Sequence, residues 1–110
     1  MNTLRVAFKK DKYSRARGGS SQLLDIVCPN CKKHVCFYQK DGPGLLKRMY
    51  LDRIKDSKYS GLEKTPFEKL PQFICPNCTR HFGMPYIYKE EKRPAFRLFV
   101  GAVTKKTVKH

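Results

Sequence analysis

The sequence predicts a small α+β protein in which an antiparallel β-sheet carries two cysteine knuckles, with a helical insert between them. Three observations support this fold class. The motif Cys-Pro-Asn-Cys occurs twice, as residues 28–31 and 75–78, and strand-like residues flank both copies. Between the copies, residues 41–71 contain apolar side chains at the spacing of a helix. The chain has 110 residues, the size of one domain with a modest core, so we expect residues 1–110 to form a single domain.

The repeated motif predicts a metal site. Two Cys-x-x-Cys pairs place four thiolates within reach of one tetrahedral ion, which is the usual ligand set of a structural zinc site. The predicted ligands of one Zn²⁺ per chain are Cys28, Cys31, Cys75 and Cys78. Proline and asparagine between the cysteines suit a tight turn, so each knuckle should lie at the tip of a β-hairpin. Four thiolates also accept iron, which leaves the identity of the ion open.

Other roles for these cysteines and their neighbours are less favoured. A redox dithiol usually begins a helix in a βαβ unit and occurs once per domain, unlike the two pairs here. His34 and His81 follow their knuckles at matching positions and could ligate the metal, but four thiolates already complete the shell. Cys36 could be a ligand or a reactive thiol, yet its apolar neighbours favour a small buried side chain.

Together the two CPNC motifs resemble the zinc ribbon class, a small β fold in which two knuckles hold one zinc ion. The resemblance covers residues 22–40 and 72–104. Members of this class commonly bind nucleic acid or dock proteins in the ribosome and the transcription machinery, so the resemblance implies a binding module. Many ribbon knuckles carry glycine directly after the second cysteine, where this chain has Lys32 and Thr79.

The N-terminal part of the chain predicts a strand and a basic arm. Residues 3–8 alternate as a half-buried strand does, whereas residues 9–21 are basic and glycine-containing with few apolar groups. We expect residues 9–21 to be a flexible arm that contacts nucleic acid, with a merely solvated loop as the alternative. The candidate contacts in the arm are Lys9, Lys10, Lys12, Tyr13, Arg15 and Arg17. Strands are expected at residues 22–27 and 35–39, on either side of the first knuckle.

The insert is predicted to be helical. Its residues 45–56 place apolar side chains on one side of a helix, with Lys47, Arg48 and Lys55 projecting elsewhere. These three side chains are either a phosphate-binding surface or a solvated face. A single further helical turn is expected from Thr65, because Pro71 must stop it.

Two more strands are expected after the second knuckle, over residues 84–89 and 95–103. Tyr88 and Phe99 on these strands could stack on bases, although a core role is favoured for such residues.

The charge indicates a polyanionic partner. The net charge is +15, from 24 Lys and Arg against nine Asp and Glu, and it is spread over the whole chain. We expect nucleic acid, with structured RNA favoured over DNA because no helix-turn-helix or long basic helix is present. The expected setting is the ribosome or another ribonucleoprotein. The alternative is a protein-docking or DNA-binding zinc ribbon in a transcription or repair complex.

The sequence does not predict an enzyme. A shell of four cysteines leaves no open metal position, and no nucleophile elbow, P-loop or paired acidic motif is present. Four of the five cysteines have metal spacing, and the sequence lacks a secretory signal and a long apolar run. These features favour a cytoplasmic protein without a membrane span. The pattern does not predict an oligomeric state.

Overall fold

The computed structural model describes residues 21–42 and 45–108, which form two four-stranded antiparallel sheets. The strands are β1 (Ser21–Val27), β2 (His34–Asp41), β3 (Arg48–Tyr50), β4 (Ile54–Lys55), β5 (Phe73–Ile74), β6 (His81–Tyr88), β7 (Arg93–Leu98) and β8 (Thr104–Thr107). The first sheet has the order β4-β2-β1-β8, and the second has the order β3-β7-β6-β5. One CPNC knuckle joins β1 to β2, and the other joins β5 to β6, so each sheet carries one knuckle.

The first sheet is built on the β1–β2 hairpin. Leu24 and Ile26 are buried while Asp25 and Val27 are half-buried, as expected for a strand with one face on the core, and Leu23 is buried as well. Strand β2 lies between β1 and β4 and is buried over almost its whole length. Strand β8 pairs with β1 and is exposed at all four positions, so it forms a polar edge of this sheet.

The second sheet packs its aromatic residues at the centre of the molecule. Phe73 of β5 and Phe96 of β7 stack with ring centroids 4.8 Å apart, and Phe82 meets Phe73 edge to face. Strand β7 is an interior strand of this sheet, between β3 and β6, and it ends at Leu98, before the end predicted at residue 103. Buried residues of both sheets belong to one hydrophobic cluster, which includes Ile26 and Cys36 from the first sheet. The two sheets therefore share a core.

The predicted helical insert is wrong, and with it the α+β class. Among the described residues there is no helix of seven or more residues, and the fold is mostly antiparallel β-sheet. Residues 45–56 instead form β3, a 3₁₀ turn at Leu51–Arg53, and β4. Strand β3 pairs with β7 and β4 pairs with β2, so this segment crosses from the second sheet to the first.

Tertiary pairing explains why the helical pattern misled. A short isolated helix is marginally stable, whereas each half of this segment gains hydrogen bonds from a neighbouring strand. The buried residues Met49, Leu51 and Ile54 resemble a helical stripe only because a 3₁₀ turn separates two buried strands. Elsewhere in the insert there are two more 3₁₀ turns, Leu62–Lys64 and Phe67–Lys69, and the second is the single turn expected near Thr65.

Some expectations fall on residues outside the described part. The strand predicted at residues 3–8 and the arm up to residue 20 lie there, while Ser21, the last residue assigned to the arm, begins β1. Within the residues that the structure describes, no helix has the length and apolar character needed to span a membrane.

Candidate metal centre

The two knuckles have the same backbone geometry. In the first, the Lys32 amide donates to the Cys28 carbonyl oxygen at 2.9 Å, and the Cys28 amide donates to the Lys33 carbonyl oxygen at 3.0 Å. In the second, the Thr79 amide donates to the Cys75 carbonyl oxygen at 3.0 Å. Lys32 and Thr79 both have a φ of 66°, a left-handed conformation in which glycine is favoured. The chain therefore adopts the same turn twice without the usual glycine.

The turns bring the four predicted cysteines together. Their Sγ atoms all lie within 4.8 Å of one another. The Cys28 and Cys78 sulfurs are 3.6 Å apart, and so are the Cys31 and Cys75 sulfurs. A tetrahedral zinc ion with Zn–S bonds of about 2.3 Å places its sulfurs about 3.8 Å apart, so this cluster fits one zinc ion. The four cysteines predicted as ligands thus form a group that could hold one zinc ion, and each short sulfur pair joins one knuckle to the other.

The site lies where the shared core meets the surface. Cys28 and Cys75, the first cysteine of each pair, are buried in the hydrophobic cluster, while Cys31 and Cys78 are partly exposed beside it. An ion with four thiolates has no open position for water or substrate, which is the arrangement of structural zinc sites. Metal binding here would hold the two sheets together at the knuckle end of the molecule.

Two asparagines support the cluster, each from the opposite knuckle. The Asn30 side-chain amide donates to Cys78 Sγ at 3.5 Å, and this bond lowers the pKa of Cys78 to about 6. The Asn77 side chain lowers the pKa of the Cys31 thiol in the same direction. Burial raises the pKa of Cys75 to about 11, although its sulfur accepts the backbone amide of Asn77 at 3.4 Å. N–H donors to sulfur favour the thiolate form that binds metal.

The sequence prediction missed these cross-knuckle bonds. It assigned the two asparagines only to the turns, although their identical position in both motifs could have indicated a shared role at the metal site. The bonds join residues that are far apart in the chain, so a local pattern does not reveal them.

The neighbouring histidines and the fifth cysteine lie outside the group of four sulfurs. His34 Nδ1 is 2.6 Å from Asp25 Oδ1 on β1, and His81 is exposed at the start of β6. Cys36 is fully buried in the shared core, and burial raises its pKa. The expectation that Cys36 is a small buried side chain is confirmed.

The predicted nucleic-acid contacts are only partly placed by the structure. Exposed Lys47 and half-buried Arg48 line one groove beside the second sheet. Lys55 lies on β4 in the other sheet and is not among the groove residues. Phe99 also lines the groove with 48% of its surface exposed, so the favoured core role of this side chain is wrong. The arm candidates from Lys9 to Arg17 lie outside the described residues.

Comparisons of the chain with protein families, with curated proteins and with solved structures found no match.

Proposed function

We propose that the protein is a zinc-binding module that binds structured RNA, in a ribosome or another ribonucleoprotein of the cytoplasm, and that it is not an enzyme. The observation that carries this proposal is the net charge of +15 on a chain of 110 residues. Such an excess repels itself in the compact state, and a polyanion that neutralises it is the natural partner.

Several acidic side chains form ion pairs inside the protein, so they do not offset the positive charge on its surface. Buried Arg53 is 2.9 Å from Asp41, and buried Arg93 is 3.0 Å from Asp52. Glu91 also approaches Arg93, at 3.4 Å. Three of the nine acidic side chains of the chain thus pair with two buried arginines. Because these carboxylates pair with buried guanidinium groups, they do not neutralise the lysines on the surface. The electrostatic potential around the protein is therefore strongly positive.

The metal centre supports a binding role because its chemistry is structural. Four thiolates complete a tetrahedral shell, so the ion supplies stability and no reactive water. Apparent zinc-binding free energies of about 10–16 kcal/mol in small domains are as large as the stability of a whole domain. Zinc would hold the two sheets in one fixed arrangement and so present a rigid surface to the partner.

RNA is favoured over duplex DNA by the secondary structure. Many readers of the DNA major groove place an α-helix in it, and the described residues contain none long enough. Structured RNA is recognised through shape, phosphates and unpaired bases, which a basic β surface can contact.

The test is direct binding with the salt concentration as the variable. Fluorescence anisotropy of the zinc-loaded full chain should show binding to a labelled RNA hairpin that weakens steeply with salt. Each phosphate contact contributes about 0.7–0.9 to the magnitude of the logarithmic slope. Weak binding with a flat salt dependence would favour the protein-docking alternative. Tighter binding to a DNA duplex than to the hairpin would favour the DNA-binding alternative.

A further inference from the structure

A groove of about 670 Å³ lies beside the second sheet and extends to Lys105 on β8 of the first sheet, and its described lining is basic and apolar. Its basic lining residues are Lys47, Arg48, Arg97 and Lys105, and no acidic residue is among the described lining. The hydroxyl of Tyr88, which lines the groove, donates to Glu90 at 2.7 Å. We call this site, defined by the four basic residues with Tyr86 and Phe99, the basic groove.

Two arginines of the basic groove lie opposite each other. Arg48 of β3 and Arg97 of β7 are cross-strand partners, so they lie on the same face of the sheet. Like charges directly opposite destabilise a β-sheet. An anion bound between them would remove that cost.

One of these arginines is already held in place. Arg48 Nε donates to the Tyr86 hydroxyl at 2.6 Å, and its guanidinium carbon lies 4.1 Å from the centre of the Tyr88 ring. An arginine ordered in this way loses little conformational entropy when it meets a phosphate. The charge of the groove is therefore organised before a ligand arrives.

The apolar part of the groove is unusually open to solvent. Phe99 is 48% exposed, Leu45 is 80% exposed, and Val100 is fully exposed beside them. A surface that only neutralised phosphates would have no use for these side chains. Aromatic side chains beside basic groups are the arrangement on which unpaired bases stack while phosphates pair with Arg and Lys.

We infer that the basic groove binds unpaired nucleotides of a single-stranded RNA segment, with a base on Phe99 and a phosphate between Arg48 and Arg97. This inference rests on the proposed RNA-binding function and names the part of the RNA that is bound. A duplex keeps its bases stacked inside and offers mainly its backbone and shallow minor groove, so its bases cannot stack on Phe99. An anionic membrane is the competing partner, because Leu45 and Val100 could also enter lipid.

The central experiment removes the stacking surface without changing the charge. Phe99→Ala should weaken binding to a labelled single-stranded oligouridine about 5- to 100-fold, as expected for the loss of one stacked base. Its salt slope should stay unchanged, because no phosphate contact is lost. Binding to an RNA duplex of the same length should also stay unchanged.

A matched control is available on the same protein. Phe67 is 46% exposed, in the 3₁₀ turn Phe67–Lys69, and it does not line the groove. Phe67→Ala should therefore leave single-strand binding at the wild-type level. Zinc content and circular dichroism of both variants identify any loss of fold.

A second variant keeps the experiment decisive if Phe99→Ala is unstable. The chain has no tryptophan, so Phe99→Trp introduces a single indole that retains the stacking surface. Single-stranded RNA should quench its fluorescence, and duplex RNA should not. The corresponding Phe67→Trp variant should show no quenching with either ligand.

The outcomes separate this inference from the function on which it rests. If the wild-type protein binds no RNA, the proposed function fails. If it binds RNA with a steep salt slope but Phe99→Ala binds the single strand as tightly as the wild type, the groove assignment fails and the proposed function stands. If Phe99→Ala lowers binding only to vesicles of phosphatidylserine and phosphatidylcholine, the groove is a membrane contact and the inference is overturned.

Discussion

The two knuckles offer a comparison inside one chain. Both have the same four-residue motif, the same backbone hydrogen bonds and the same left-handed residue after the second cysteine. Each is preceded by a register shift in the hairpin, at Ile26/Val27 in the first and at Phe73/Ile74 in the second. The same Cys-Pro-Asn-Cys motif thus adopts the same turn in two different sheets.

The knuckles differ at the fifth residue after the second cysteine. The first hairpin has Cys36 there, and the second has Gly83. Both positions are buried, but a Cβ at Gly83 would lie 2.3 Å from the carbonyl oxygen of Arg97 on β7. Cys36 has room for its sulfur in the shared core. The motif therefore sets the turn, while the neighbouring strand sets which side chain can follow it.

Removing one metal ligand from either knuckle should have the largest effect. Cys28→Ser and Cys75→Ser should each abolish zinc binding and unfold the protein, because the metal contributes about as much free energy as the whole fold. Metal analysis and circular dichroism measure both effects. Cys36→Ala is the control and should retain one zinc ion. Full zinc content in Cys75→Ser would show that the four-cysteine assignment is wrong.

Replacing Gly83 or Cys36 by alanine should show the next largest effect, on the free energy of unfolding. Gly83→Ala forces a methyl group against backbone, which cannot move aside as a side chain can, so we expect a loss of about 3 kcal/mol in the free energy of unfolding. Cys36→Ala removes one buried sulfur atom and should cost about 1 kcal/mol. Urea unfolding of the zinc-loaded proteins compares them. Equal losses at the two positions would mean that β7 can shift to relieve the contact.

The asparagines test whether the knuckles support each other equally. Asn30→Ala and Asn77→Ala should each lower the zinc affinity about tenfold, the smaller end of the effects of losing a hydrogen bond to a ligand. Asn30→Asp should be weaker still, since it replaces the donor to Cys78 with a negative charge. Competition with a chromophoric chelator measures the affinities. If Asn30→Ala binds zinc as tightly as the wild type does, the hydrogen bond from Asn30 to Cys78 does not contribute to zinc affinity.

The comparison also shows what could be predicted from the sequence. The four ligands and their hairpins follow from local spacing and turn chemistry, so both were predictable. The insert was not, because β3 and β4 form on strands that are distant in sequence, and a 3₁₀ turn between them imitates helical spacing. The basic groove escaped prediction for the same reason, since Arg48 and Arg97 meet only across a sheet.

The smallest effect should come from the left-handed residues that follow the knuckles. Lys32 and Thr79 both have a φ of 66°, a conformation that costs an ordinary residue about 1–2 kcal/mol. Glycine removes this strain but adds about 0.5–1 kcal/mol of chain entropy to the unfolded state. Lys32→Gly should therefore stabilise the zinc-loaded protein by about 0.5 kcal/mol. Thr79→Gly should gain slightly more, because a branched side chain tolerates this conformation least.

Urea unfolding of the zinc-loaded variants measures these changes, and Gly61 provides the reverse control. Gly61 has a φ of 78° with open space around its Cβ position. Gly61→Ala should thus lose about 1 kcal/mol through backbone strain alone, without a steric clash. If Thr79→Gly is less stable than the wild type, the exposed bond from the Thr79 hydroxyl to the Cys78 carbonyl oxygen, at 2.6 Å, outweighs the strain. The second knuckle would then depend on a side-chain contact that the first, with lysine at this position, cannot make.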